Sequence, residues 1–326
     1  MGLVDHICVG LFAIALCLGT LPAYFLSRAG LWWVSCSPKG KAQGRLKALN
    51  RRVILLTRFG WRATLAVCCW IRVHVEGVDD LRSKPETPGR PRIFIANHTS
   101  FMDTIMVITT MPSSQLCKLK ILASAKVFKM PLIGKIIKAM GHLPVPFKTD
   151  DVDSTNMDVD KAGMSECQQK LEDWVRLEGG GGGWFPEGRL NPGDTHKVGL
   201  FRAGGMAMAA RLDLEIWGLA FCGNTVTWPR KAALGGRPAR IGAKVFCVCE
   251  STHEVLRAAG LMDGSDERTQ AVCLANFAQQ KVQENLDKLV EQGYVGARRP
   301  KANSKRVQVQ PAPEPVGNAT GKEDPL

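Results

Sequence analysis

The alternation of apolar and polar positions divides the chain into two N-terminal apolar segments, a long series of short strands and helices, and a polar tail. Residues 7–26 form an uncharged, mostly apolar run, long enough as a helix to cross roughly 30 Å of hydrocarbon. Residues 53–71 are apolar too but hold Arg58 and Arg62, one turn apart on one stripe. Charge at mid-bilayer is costly, so residues 53–70 are read as a helix lying in the interface, both arginines reaching lipid phosphates. A second span is the competing reading on length alone. Ile71, Val73 and Val75 then alternate with Arg72, His74 and Glu76, which predicts a half-buried strand ending at Gly77 and puts His74 on its polar side. A polar loop, residues 79–91, precedes the apolar run 92–96, read as a buried strand. After Ser100 the period becomes helical.

The same reading continues downstream. A strand is expected over 118–124. A short helix over 132–140 lies between Pro131 and Gly141, with proline at the start and glycine past the end. Residues 142–147 read as extended, and 149–160, with five aspartates, as a solvated loop. That loop fails as a calcium site because Asn156 and Ala162 stand where glycine and glutamate are needed. From Asp160, Met164, Cys167, Leu171 and Trp174 follow helical spacing as a core stripe. Residues 179–183 are five glycines, expected to be a short or flexible segment and read as a simple loop. A strand over 241–248 and an amphipathic helix over 265–290 follow, the latter with Leu274, Ala278, Val282, Leu286 and Leu289 on one side. From Arg298 the chain is basic and then proline-rich, and residues 296–326 are expected to be disordered. The organisation is thus an anchor over 1–70, a catalytic unit over 71–295 and a tail. Strands alternating with helices make the fold class α/β.

Charge sharpens this picture. The chain of 326 residues has a formal net charge of +13, placed unevenly: between Asp5 and Glu76 there are ten Lys or Arg and no acid. Basic residues concentrated beside an apolar segment suit anionic lipid headgroups and a bilayer partner, and argue against nucleic acid. Because they follow the apolar run, the downstream chain is expected in the cytosol. Asp5 and His6 in the leading segment do not suit a signal peptide, and His6 does not suit myristoylation. The 11 cysteines are odd in number and include no Cys-x-x-Cys pair, which fits small hydrophobes in a reduced compartment, with no metal site. No phosphate-binding glycine loop of either nucleotide type is present.

The candidate chemistry lies at residues 94–103, Phe-Ile-Ala-Asn-His-Thr-Ser-Phe-Met-Asp. It puts His98 at the carboxyl end of a strand, where α/β proteins present reacting groups. On a continuous helix the spacing to Asp103 would splay the two side chains apart. Across a strand-to-helix turn, Asp103 can curl back, accept the Nδ1 proton and leave Nε2 to take a proton from a hydroxyl. Ser100-x-x-Asp103 also reads as a capping box with a structural histidine, and the pattern alone leaves both readings open.

Asn97-His98, four residues, then Asp103, followed by Phe185-Pro186-Glu187-Gly188, resembles the glycerolipid acyltransferase family typified by 1-acylglycerol-3-phosphate acyltransferases. Weaker similarity runs from about Ile71 to Lys244. The resemblance implies a mixed sheet flanked by helices behind an N-terminal membrane-anchoring helical segment. It also implies acyl transfer from acyl-CoA, a co-substrate rather than a cofactor, to the free hydroxyl of lysophosphatidate, in phospholipid synthesis at the endoplasmic reticulum. His98 would be the general base and Asp103 its partner; Glu187, Gly188, Arg189, Lys148 and Arg202 would bind substrate. Glu187 would hydrogen-bond a glycerol hydroxyl or orient Arg189. Direct attack of a hydroxyl on the thioester needs no enzyme nucleophile, in keeping with the lack of Gly-x-Ser-x-Gly. Three positions depart from the family pattern. Phe147 or Lys148 stands where an arginine contacts phosphate, no threonine separates Gly188 from Arg189, and Gly218 replaces a proline in the strand over 214–221. Another lysophospholipid or glycerol phosphate as acceptor, or a non-catalytic lipid-binding membrane protein, are the alternative readings.

Overall fold

The computed structural model describes residues 2–146 and 160–294. Lys148, Phe147, most of the acidic loop and the tail over 296–326 lie outside them. The described residues hold a seven-stranded mixed sheet in the order β1-β7-β6-β2-β5-β3-β4. The strands are β1 (Ile71–Glu76), β2 (Arg92–Ala96), β3 (Leu119–Ser124), β4 (Leu143–Val145), β5 (Gly181–Trp184), β6 (Glu215–Cys222) and β7 (Ala239–Cys249). From β6 to β4 all neighbours are parallel; β7 runs antiparallel to β6, and β1 is parallel to β7. Every residue of β2 and β6 is buried, as expected of parallel strands covered on both faces. Phe94, Ala96, Trp217, Leu219 and Phe221 fill one face with the helix Met102–Thr110. Ile93, Ile95 and Ile216 fill the other with the helices Lys161–Leu177 and Glu267–Glu291. The edge strand β1 is half-buried, and His74 is exposed on it.

The glycine run is not a loop. Its last three glycines, with Trp184, form β5, fully buried between β2 and β3. Neighbouring side chains occupy the volume its own would need: a Cβ on Gly180 would lie 2.0 Å from the Trp174 ring, and one on Gly183 would lie 3.1 Å from Leu119. Gly218 has the same explanation, since a Cβ there would meet the Phe246 ring at 2.3 Å.

Two long helices precede the sheet, α1 (Leu3–Ser35) and α2 (Lys39–Val67). Both outrun the apolar segments that announced them. At 1.5 Å per residue α1 is about 50 Å long, and it is long and apolar enough to cross a membrane. The helices pack antiparallel and closely. A Cβ on Gly60 would come within 1.9 Å of the Gly19 carbonyl oxygen, Trp61 Nε1 donates to Thr20 Oγ1 at 3.0 Å, and Thr64 Oγ1 donates to the Ala15 carbonyl at 3.1 Å. Cys8, Phe12, Thr20, Ala23 and Ser27 form the buried stripe of α1, while Leu3, Val4, Ile7, Leu11, Ile14, Leu18 and Phe25 are exposed. Arg58 has a partner within the protein. Its Nη2 donates to the Met111 carbonyl at 3.1 Å, at the end of the helix Met102–Thr110, where unpaired carbonyls favour a cation. Arg62 is exposed.

Candidate active site

The parallel register brings the carboxyl ends of β2, β5 and β6 to one end of the sheet, and each contributes to one cluster. β2 stops at Ala96. The Asn97 side chain then extends the ladder: its Nδ2 donates to the Phe221 carbonyl at 3.0 Å and its Oδ1 accepts from Phe221 N–H at 2.8 Å. Next comes His98, with its side chain 17% exposed, while Asp103 is fully buried.

The chain curls back as the spacing predicts. Asp103 Oδ2 accepts from His98 Nδ1 at 3.0 Å, Thr99 N–H at 2.7 Å and Ser100 N–H at 2.9 Å. Both sequence readings meet in this atom, because the carboxylate caps the turn and also holds the ring. A carboxylate buried among donors can only accept, so Nδ1 carries the proton and Nε2 has its lone pair available. The Phe185 ring stacks on the imidazole, with centroids 3.9 Å apart and planes 10° from parallel. Asp103 Oδ1 accepts from the Asn224 side-chain amide, and that amide also donates to Thr99 Oγ1 at 3.1 Å. Asn224 opens a short helix beyond β6 after Gly223, whose φ of 83° is a left-handed turn.

The second motif clamps the backbone of His98. Glu187 Oε1 accepts from His98 N–H at 2.8 Å and Oε2 from Gly199 N–H at 3.2 Å. The His98 carbonyl in turn accepts from Asn191 N–H at 2.6 Å. Both Glu187 oxygens thus accept from backbone donors. Burial pushes its carboxyl up to about 7, the two backbone hydrogen bonds acting against that shift. Gly188, with φ of 72°, packs so closely that a Cβ would lie 2.9 Å from Arg202 Nε. Arg202 Nε donates to the Glu187 carbonyl at 3.4 Å and its guanidinium is exposed. Arg189 is half-buried. Glu187, Gly188, Arg189 and Arg202 therefore lie together on the segment that holds His98.

Asn224 escaped the sequence reading. Its one signal was its place, directly after the strand next to β2 and at the same end of the sheet. His142 carries no such role: it is half-buried, its Nδ1 accepts from Ile121 N–H at 3.2 Å, and desolvation lowers its imidazolium to about 4.

Residues 72–221 match the family model for Acyltransferase, which marks that stretch as an acyltransferase domain. The fold of the chain is similar to the crystal structure of the 1-acyl-sn-glycerophosphate (LPA) acyltransferase PlsC from Thermotoga maritima. The two share 15% identity with a TM-score of 0.53, over 88% of this chain and 96% of that one. No curated protein matches the chain.

Proposed function

We infer that this acyltransferase moves a fatty acyl group from acyl-CoA to the free hydroxyl of lysophosphatidate, making phosphatidate at a membrane surface. The observation that carries the reading is the Asp103 carboxylate on His98 Nδ1, which orients Nε2 as a base. The acceptor hydroxyl gives its proton to Nε2 as its oxygen attacks the thioester carbonyl. The C–S bond then breaks, and the departing thiolate takes the proton back from the imidazolium. Asp103 stabilises the imidazolium in between. General-base assistance of this kind contributes about 10²–10⁴ in rate, with positioning and oxyanion stabilisation supplying the rest. Transfer assays on membranes, with acyl-CoA against a panel of lysophospholipids and glycerol phosphate, test the acceptor. Preference for lysophosphatidate supports the reading. Preference for glycerol phosphate or a phosphate-diester lysolipid replaces the acceptor, and no transfer to any of them removes the function.

Arg189 and Arg202 are the groups proposed to hold the acceptor phosphate. Arg189→Lys exchanges a planar two-pronged donor for a point charge. The expected result is a raised acceptor KM with the acyl-CoA KM little changed. An unaltered acceptor dependence would move the role to Arg202.

The exposed apolar stripe of α1 is proposed to meet lipid, with the sheet on the cytosolic side of the endoplasmic reticulum. The ten basic residues between Asp5 and Glu76 favour that orientation. Protease added outside sealed microsomes is then expected to digest the chain from Glu76 onward. Full protection of that region would reverse the orientation.

A further inference from the structure

Oδ1 of Asp103 has one partner, and it comes from a different strand. The three donors on Oδ2 (His98 Nδ1, Thr99 N–H and Ser100 N–H) all belong to the turn that Asp103 itself closes. Those bonds hold one oxygen only, and because rotation about Cβ–Cγ moves both oxygens together, the partner of Oδ1 acts on the same otherwise broad, two-fold torsion. Asn224 is only 1% exposed, and its Nδ2 donates to Oδ1 and to Thr99 Oγ1. With both amide hydrogens committed to acceptors, the reverse orientation would set oxygen against oxygen. The segment behind it is fixed as well. A Cβ on Gly223 would lie 2.2 Å from the Arg240 carbonyl oxygen, and the Trp228 carbonyl accepts from Ser100 Oγ at 2.6 Å.

We propose that Asn224 is a positioning residue that sets the plane of the Asp103 carboxylate and thereby the aim of His98. This rests on the general-base reading of that pair. A neutral donor suits the task. It satisfies a buried carboxylate oxygen, whereas a lysine or arginine there would neutralise the charge on which the imidazolium depends. His98 on the same turn and Glu187 from the segment after β5 are the ionisable groups facing Asp103; Arg58 stands at the far end of the helix Met102–Thr110.

The test compares Asn224→Ala and Asn224→Asp with the unaltered full-length protein in membranes. Thr227→Val on the same short helix serves as control, because the Thr227 hydroxyl is buried without a partner. Asn224→Ala is expected to lower kcat roughly 10–100-fold, the scale of one hydrogen bond to a charged group, with both KM values within about twofold. Asn224→Asp is expected to do more and to move the acid limb of kcat to higher pH, since two facing carboxylates share a proton. Thr227→Val should turn over normally. The proton NMR signal of His98 Nδ1–H reads the His98–Asp103 bond with or without turnover, and it should broaden or shift in both Asn224 variants. An unchanged kcat, acid limb and Nδ1–H signal in folded variants overturns the proposal, as does a lowered melting temperature alone. A shifted Nδ1–H signal in a chain whose unaltered form transfers nothing would sustain the positioning role and reject the general-base reading.

Discussion

Asp103→Asn is expected to lower kcat by about 10³–10⁴-fold while the folded, membrane-bound protein persists. The amide can keep its oxygen on Thr99 and Ser100 N–H, where the native carboxylate accepts at 2.7 and 2.9 Å. Turn closure is therefore largely retained, and the loss of stability should stay within about 1–3 kcal/mol, the cost of the buried Asn224 donor left without its acceptor. What the amide lacks is charge. With its oxygen on those two N–H groups it still accepts from His98 Nδ1, but it cannot stabilise an imidazolium, and its amide nitrogen faces the Asn224 donor that the native Oδ1 accepts from. The comparable change in a serine-protease triad costs about 10⁴. The capping and catalytic readings of the one atom thus separate in a single variant, by kcat measured beside a thermal melt. Near-normal turnover would leave Asp103 a cap and nothing more.

Glu187→Gln is expected to have the second-largest effect, and to act through His98 rather than through substrate. One end of the glutamine amide is a donor, so it faces either His98 N–H or Gly199 N–H with hydrogen against hydrogen. A buried backbone N–H left unpaired costs about 1–3 kcal/mol, and here the strain falls on the residue that carries the base. The expected outcome is a kcat reduced roughly 10–100-fold with the acceptor KM little changed. The sign of the pH dependence gives an independent check. Burial raises the Glu187 carboxyl to about 7 in the folded chain, above its ordinary value near 4.5. The folded state therefore binds more protons between those two pH values, and stability from this group is present below about 4.5 and lost as pH rises through about 7. Replacing the acid with an amide should flatten that part of the melting-temperature profile. A raised acceptor KM with kcat retained would instead return Glu187 to direct contact with substrate.

The elements that the sequence disclosed are those whose signal lies in their own side chains. β2 is a continuous apolar run, β1 alternates, and the helix Glu267–Glu291 carries its stripe at helical spacing. The His98–Asp103 bond was legible for the same reason, since both residues lie on one short turn. Three features were not legible. β5 has almost no side chains, so periodicity could not report it, and its burial is supplied by Leu119, Leu171 and Ile93 from other elements. The N-terminal half of α2 is polar and basic, and only its packing against α1 and the sheet's helices declares it a helix. Asn224 reaches Asp103 across 121 residues of sequence, a proximity created by the parallel pairing of β2 with β6. Glu187 lay in between: its motif was evident, but its partner, the backbone of His98, could not be read before the two strand ends met.

The central claim is that His98 takes the acceptor's proton while the acyl group leaves coenzyme A. Its most direct test is the release of free thiol from acyl-CoA when lysophosphatidate is added to membranes holding the unaltered chain or His98→Ala. Thiol release in step with phosphatidate formation is expected in the unaltered chain. Loss of nearly all of both is expected in His98→Ala, whose membrane association should persist because α1 and α2 are untouched. Equal rates in the two would contradict the claim.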